Sequence, residues 1–272
     1  MTTARPVREA RPRIEPWQDP EAVPFVRIQG VTKTFGEVYA VDNVTLDIFK
    51  GEFFALLGPS GCGKSTLLRI LAGLERPTSG RVVIDGQDMT DVPPWRRPVN
   101  MMFQSYALFP HLSVRKNIAF GLEQERLPRA EIAERVEEVV RLVRLEGLED
   151  RKPDQLSGGQ KQRMFVAMAL VRDPDVIILD EPVAGIDAVT QEKFYQKMSD
   201  LNQRKGITIL MVSHDLTAVF CRMSKLICVN REVNVAEITP DVDPNEILRK
   251  AYGEHFHFVF HRHECKGEFR ND

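Results

Sequence analysis

The chain has 272 residues, 43% of them apolar and 28% charged, with 37 Lys and Arg set against 39 Asp and Glu. That is the composition of a globular protein of one or two domains, and its net charge of -2 leaves no basic surplus for nucleic acid. No stretch approaches the roughly 20 apolar residues of a membrane span, and the cysteines at 62, 221, 228 and 265 include no C-x-x-C and read as reduced thiols of a cytosolic protein.

Residues 1–24 hold prolines, Arg and Glu but few large apolar residues, which predicts a disordered tail and no signal peptide. From Phe25 the pattern alternates. Phe25 to Ile28 and Val44 to Ile48 read as strands. Between them stand Phe35 and Tyr39. An aromatic shortly before a phosphate loop stacks on a nucleotide base or packs in the core, and the residues leave both open, with Phe35 ahead of Tyr39 as the stacking candidate.

Phe53 to Leu57 is an apolar run that predicts a buried strand. Gly58-Pro59-Ser60-Gly61-Cys62-Gly63-Lys64-Ser65-Thr66 follows and fits G-x-x-x-x-G-K-[ST]. A helix over Leu67 to Leu74 completes the strand, loop and helix that this motif needs. The glycines let backbone N–H groups turn inward around phosphate oxygens, and the helix N-terminus adds a positive dipole end. Lys64 reaches β- and γ-phosphates, and the Ser65 hydroxyl suits Mg2+. Cys62 lies among the same groups and is either an inert small residue or a thiol whose alkylation blocks nucleotide binding.

Arg81 to Gly86 predicts a strand and turn, and Val99 to Phe103 another strand closed by Gln104, a polar residue at a strand's carboxyl end. Residues 113–149 turn helical, with Ile132, Val136, Val139 and Val143 on one face and Glu and Arg on the other. Ser157 predicts an N-cap for a helix running to about Val171. Val176 to Leu179 is a fully apolar strand ending in Asp180 and Glu181. Strand alternation would aim these two acids in opposite directions, one toward Mg2+ and one toward water.

Phe194, Met198 and Leu201 mark a helix ending at Gly206. Ile207 to Val212 is a further buried strand with Ser213-His214-Asp215 at its end, and His214 is a candidate for the same strand edge. Lys225 to Val229 is expected as the last core strand, and residues 236–272 as a short tail element. In that tail His255, His257, His261 and His263 alternate with Phe256 and Phe258. They predict either a solvated strand face or a weak Zn2+ site that modulates activity.

Taken together, the phosphate loop at 58–66, Gln104, Leu156-Ser157-Gly158-Gly159-Gln160, the strand Val176 to Asp180 with Glu181, Asp187 and His214 resemble the ATP-binding cassette subunit of ABC transporters, over about residues 25–230. The resemblance implies an α/β phosphate-loop NTPase core, an N-terminal antiparallel β subdomain and an α-helical subdomain inserted at about 105–155. It implies a Mg2+-dependent ATPase in which Asp180 holds the metal through water, Glu181 is the general base, His214 contacts the γ-phosphate and Gln104 senses metal and water. Ser157, Gly158, Gly159 and Gln160 form the signature that meets the ATP of a second subunit, and Asp187 lies in a loop joining the two sites. The partners implied are a paired cassette, transmembrane permease subunits and, indirectly, a solute-binding protein, at the cytoplasmic face of the cell membrane.

Within that family, Arg97 to His111 and Ala119 to Leu122 resemble putrescine and spermidine importers. From about Pro182 onward, including Gly185-Ile186-Asp187 and Tyr252-Gly253-Glu254, the chain looks more like zinc and manganese importers. The helical insert is where the family meets its permeases, so polyamine import is the expected function and metal import the alternative. A non-transport ABC ATPase acting on ribosomes or DNA fits less well, because the chain has a single cassette and no sustained heptads.

Overall fold

A computed structural model describes residues 21–102, 108–183, 188–213, 225–230, 232–237, 248, 249 and 252. The expected N-terminal tail at 1–24 therefore lies almost wholly outside the described residues. The fold begins with an antiparallel hairpin, β1 (Val26–Phe35) and β2 (Val38–Ile48). Its alternation buries Val26 and Ile28 from one strand and Val44, Leu46 and Ile48 from the other, and a register shift after Ile28 turns Val31 inward as well. The strands β4 (Ser79–Ile84) and β5 (Gln87–Asp88) complete a four-stranded sheet in the order β2-β1-β4-β5.

The second sheet runs β10-β9-β3-β8-β7-β6. Its strands are β3 (Phe53–Leu57), β6 (Val99–Met102), β7 (Val176–Asp180), β8 (Thr208–Val212), β9 (Lys225–Asn230) and β10 (Glu232–Glu237). All but β10 pair in parallel. Parallel strands are covered on both faces, which is why β3, β7 and β8 read as unbroken apolar runs. Side-chain alternation divides those runs between two cores. Phe53, Ala55 and Leu57 enter one core with the helices, while Phe54 and Leu56 enter the other with the antiparallel sheet. Phe54 is fully buried, so Phe54→Ala is expected to cost about 3–5 kcal/mol.

Five helices are described: α1 (Lys64–Leu71), α2 (Val114–Gln124), α3 (Arg129–Val143), α4 (Gly158–Leu170) and α5 (Ala188–Lys205). The first packs on the same core as the antiparallel sheet, and α2, α3, α4 and α5 pack on the other. The apolar stripe of α3 is buried at Val136, Val139, Val140 and Val143. Ser113 caps α2 by accepting from the Lys116 amide. Two expectations need correction. The helix after the phosphate loop starts at Lys64, not Leu67, because the loop itself supplies the first turn. Nor is β9 the last strand: Glu232–Glu237 pairs antiparallel with it at the sheet edge, and the alternation of Val233 and Val235 with Glu232 and Asn234 was the available signal.

Candidate functional site

Three neighbouring strands, β3, β8 and β7, end at one carboxyl edge, where open α/β sheets place ligands. After β3 the chain enters the glycine loop, with Gly58, Gly61 and Gly63 all at positive φ. Gly63 has φ 101°, and a Cβ there would lie 2.0 Å from the Ala40 carbonyl oxygen, so only glycine lets the loop sit against β2. Gly63 is also the N-cap of α1, and no side chain caps that helix. The first-turn amides of α1 thus face the loop without a side-chain acceptor, as an anion site requires.

Lys64 is buried, and its ammonium donates to the carbonyls of Gly58 and Pro59, both at 2.8 Å, and to Cys62 Sγ at 3.6 Å. The loop's own acceptors hold the cation over the cradle, where phosphate oxygens would take their place. The Gly58 amide donates to the Tyr252 hydroxyl at 3.3 Å. This tie from near the C-terminus to the loop was invisible in the sequence.

Ser65 Oγ donates to Asp180 Oδ1 at 3.2 Å. Burial pushes the Asp180 carboxyl above its ordinary value, the Ser65 hydrogen bond opposes this, and the neighbouring Glu181 raises it further. A desolvated carboxylate and a hydroxyl side by side, next to a phosphate cradle, make the hard-oxygen donor set that suits Mg2+. Glu181 corrects the alternation argument. Its φ is +48°, in the left-handed region, and its amide donates to the Val212 carbonyl at 3.1 Å. The strand has already ended at Asp180, so a left-handed backbone, not strand alternation, aims the second acid. At the end of β8, Ser213 Oγ and the Tyr195 hydroxyl lie 2.9 Å apart in the core.

Phe35 and Tyr39 are 52% and 64% exposed, which removes core packing as their role. Lys33 Nζ lies 4.9 Å from the Phe35 ring centre. The signature begins on a buried Leu156. Ser157 Oγ accepts from the Gln160 amide at 3.3 Å, and Gln160 Oε1 accepts from the Ser157 amide at 2.9 Å, a complete capping box. A Cβ added at Gly158 would meet no atom within 4 Å, so the space before this helix is open. Arg163 braces the same turn, donating to the carbonyls of Gly159 and Arg144. Gln104, Asp187, His214 and the tail histidines His255, His257, His261 and His263 lie outside the described residues. A groove of about 470 Å³ lined by Trp95, Arg172 and Asp175 sits away from all of this, at the amino edge of the parallel sheet.

This is the ATP-binding cassette fold, and the chain belongs to the ABC transporter family, whose profile matches residues 41–184. Among curated relatives, the putrescine transport ATP-binding protein PotG of Escherichia coli is 47% identical over 225 residues, covering 83% of this chain and 60% of that protein. The spermidine/putrescine import ATP-binding protein PotA of Rubrobacter xylanophilus is 51% identical over 213 residues, covering 78% and 56%. A Fe(3+) ions import ATP-binding protein, FbpC of Photobacterium profundum, is 46% identical over 217 residues, covering 80% of this chain and 62% of that protein. The chain thus spans somewhat over half the length of these relatives. Among solved structures, the dimeric cassette MJ0796 bound to ADP and Pi matches with a TM-score of 0.69 at 33% identity, over 79% of this chain and 99% of that one. Among the described residues, no helix is long and apolar enough to cross a membrane.

Proposed function

We propose that the chain is the ATP-hydrolysing subunit of a polyamine importer. The observation that carries the chemistry is the meeting of Ser65 and Asp180 at 3.2 Å beside a loop whose lysine rests on its own carbonyls. The ATP phosphates lie within the loop from Gly58 to Thr66, against the amides that follow Pro59, and Lys64 exchanges its carbonyl partners for phosphate oxygens. Phe35 stacks on the base. Ser65, Asp180 and Gln104 would hold Mg2+, whose charge offsets that of the phosphates. Glu181 takes a proton from the attacking water, and His214 contacts the γ-phosphate. A second copy, or a paired cassette, presents Ser157, Gly158, Gly159 and Gln160 to the same ATP and excludes water. Asp187 joins the two sites.

In this reading residues 25–235 are the ATP-binding domain, the helical part at about 105–155 meets the permease subunits, and residues 236–272 are a short tail. The subunit works at the cytoplasmic face of the membrane, with a solute-binding protein choosing the cargo. Polyamine cargo is supported by the relatives' names and by the insert sequence. Import of zinc or manganese, the alternative that rests on the residues from Pro182 onward, is not favoured by these relatives, and the tail histidines form either a solvated face or a weak Zn2+ site. The test is copurification with permease subunits. Capture of a polyamine-type permease supports the proposal, whereas capture of a metal-type permease alone overturns the choice of cargo.

A further inference from the structure

The segment leading into β6 is tied to the rear ends of two helices that pack in different cores. Arg97 is buried, and its guanidinium donates to five backbone carbonyls and no carboxylate. Two of them, Ile70 at 2.8 Å and Leu71 at 2.9 Å, are the last carbonyls of α1. The others belong to Met89, Thr90 and Val92. Gly73 leaves the room, since a Cβ there would lie 2.6 Å from Arg97 Nε. Three residues on, within β6 and on the opposite face of the same extended segment, Asn100 Nδ2 donates to the carbonyls of Ala169 at 2.9 Å and Met168 at 3.4 Å, in the last turn of α4. Alternation explains the split. Val99, in the strand position that shares a face with Arg97, joins the core that holds α1, and Met102, which shares a face with Asn100, joins the core that holds α4.

The helices held in this way are the two whose front ends matter. The first starts in the phosphate loop, and α4 starts in the signature. Both ties reach carbonyls of a helix's last turn: Leu71, Met168 and Ala169 are ones that a C-terminus leaves open, Ile70 also accepts from the Gly73 amide, and a cation also suits the negative dipole end. We infer that Arg97 and Asn100 are positioning residues, Arg97 for the cradle that holds the chain's own ATP and Asn100 for the signature that meets the ATP of a second copy. This rests on the proposed pairing of two cassettes.

The test separates the two roles. In the full chain, Arg97→Lys, which keeps the charge but loses the planar fork, is expected to weaken binding of a fluorescent ATP analogue about tenfold. Asn100→Ala is expected to leave that affinity within about twofold and to weaken ATP-driven pairing, measured by sedimentation at saturating ATP in a Glu181→Gln background, about fivefold. Asn100→Asp should be at least as severe, because a carboxylate has no N–H to donate. Equal effects of the two changes on affinity and pairing, or no effect of either, overturn the inference. If the unsubstituted chain does not pair with ATP, the paired reading fails. The ties are then read by amide hydrogen exchange in the nucleotide-free chain. Asn100→Ala must speed exchange in the last turn of α4 alone, and Arg97→Lys in the last turn of α1 alone, and a uniform change or none overturns the inference.

Discussion

Two helices in this molecule start at glycine-rich turns, and they meet their open amides in opposite ways. At α1 the N-cap is Gly63, no side chain caps the turn, and a buried lysine waits over it. At α4 the N-cap is Ser157, and its hydroxyl and the Gln160 side chain satisfy the first turn reciprocally. The first end leaves its donors for a ligand. The second satisfies the Ser157 and Gln160 amides on its own, is exposed, leaves the Gly158 and Gly159 amides open, and still has the Ser157 hydroxyl proton to give. In the proposed pairing, that contrast gives the chain's own nucleotide the uncapped helix end and another copy's nucleotide the end that is already partly capped.

The largest expected effect breaks the chemistry without touching either helix end. Glu181→Gln should reduce steady-state ATP turnover by on the order of 10²- to 10⁴-fold while ATP binding, measured by equilibrium dialysis, stays intact. An amide still hydrogen-bonds water but takes no proton. Near-normal turnover would remove Glu181 from the base role.

Lys64→Ala attacks the uncapped end. It removes the cation now shared among the carbonyls of Gly58 and Pro59 and Cys62 Sγ. Nucleotide affinity of a single copy should fall roughly 10- to 100-fold. Ser157→Ala attacks the capped end. It should cost about 1 kcal/mol in thermal or denaturant unfolding and weaken ATP-driven pairing, with single-copy affinity unchanged. If Ser157→Ala lowered single-copy affinity as Lys64→Ala does, the division between the two ends would be wrong.

A pH titration sharpens the metal half of the uncapped site. Asp180 titrates above its ordinary 3.8 in the folded chain, so the folded state binds its proton more tightly than the unfolded state. Its contribution to stability is greatest below pH 3.8 and is lost as pH rises from there through the raised pKa. Unfolding midpoints of the nucleotide-free protein should therefore fall less steeply across that window in Asp180→Asn. Added Mg2+ should oppose the loss in the parent and not in the variant. The smallest effect concerns Cys62, next to the Lys64 ammonium. Bound ATP should slow its alkylation, and equal labelling rates with and without ATP would place it outside the cradle.

The parts of this protein that were legible in its sequence are those whose physics is local. The cradle needs glycine, Lys64 and Ser65 at fixed spacing between a strand and a helix, and those nine residues carry the whole requirement. The N-cap at Ser157 needs only a hydroxyl just before the helix, though the Gln160 half of the capping box was not read, and the buried strands announce themselves because both faces of a parallel sheet are apolar. Tertiary structure decided the rest. Glu181 takes its direction from a left-handed backbone held by the Val212 carbonyl 31 residues later in the chain. Gly63 is required by the Ala40 carbonyl of a strand that precedes the motif. Arg97, which the sequence marked only as the start of a stretch resembling polyamine importers, is a buried clamp on the end of α1, because its five partners are backbone carbonyls. Side-chain patterns record which residues seek the interior, whereas backbone acceptors are the same at every position and acquire an address only when the chain is folded.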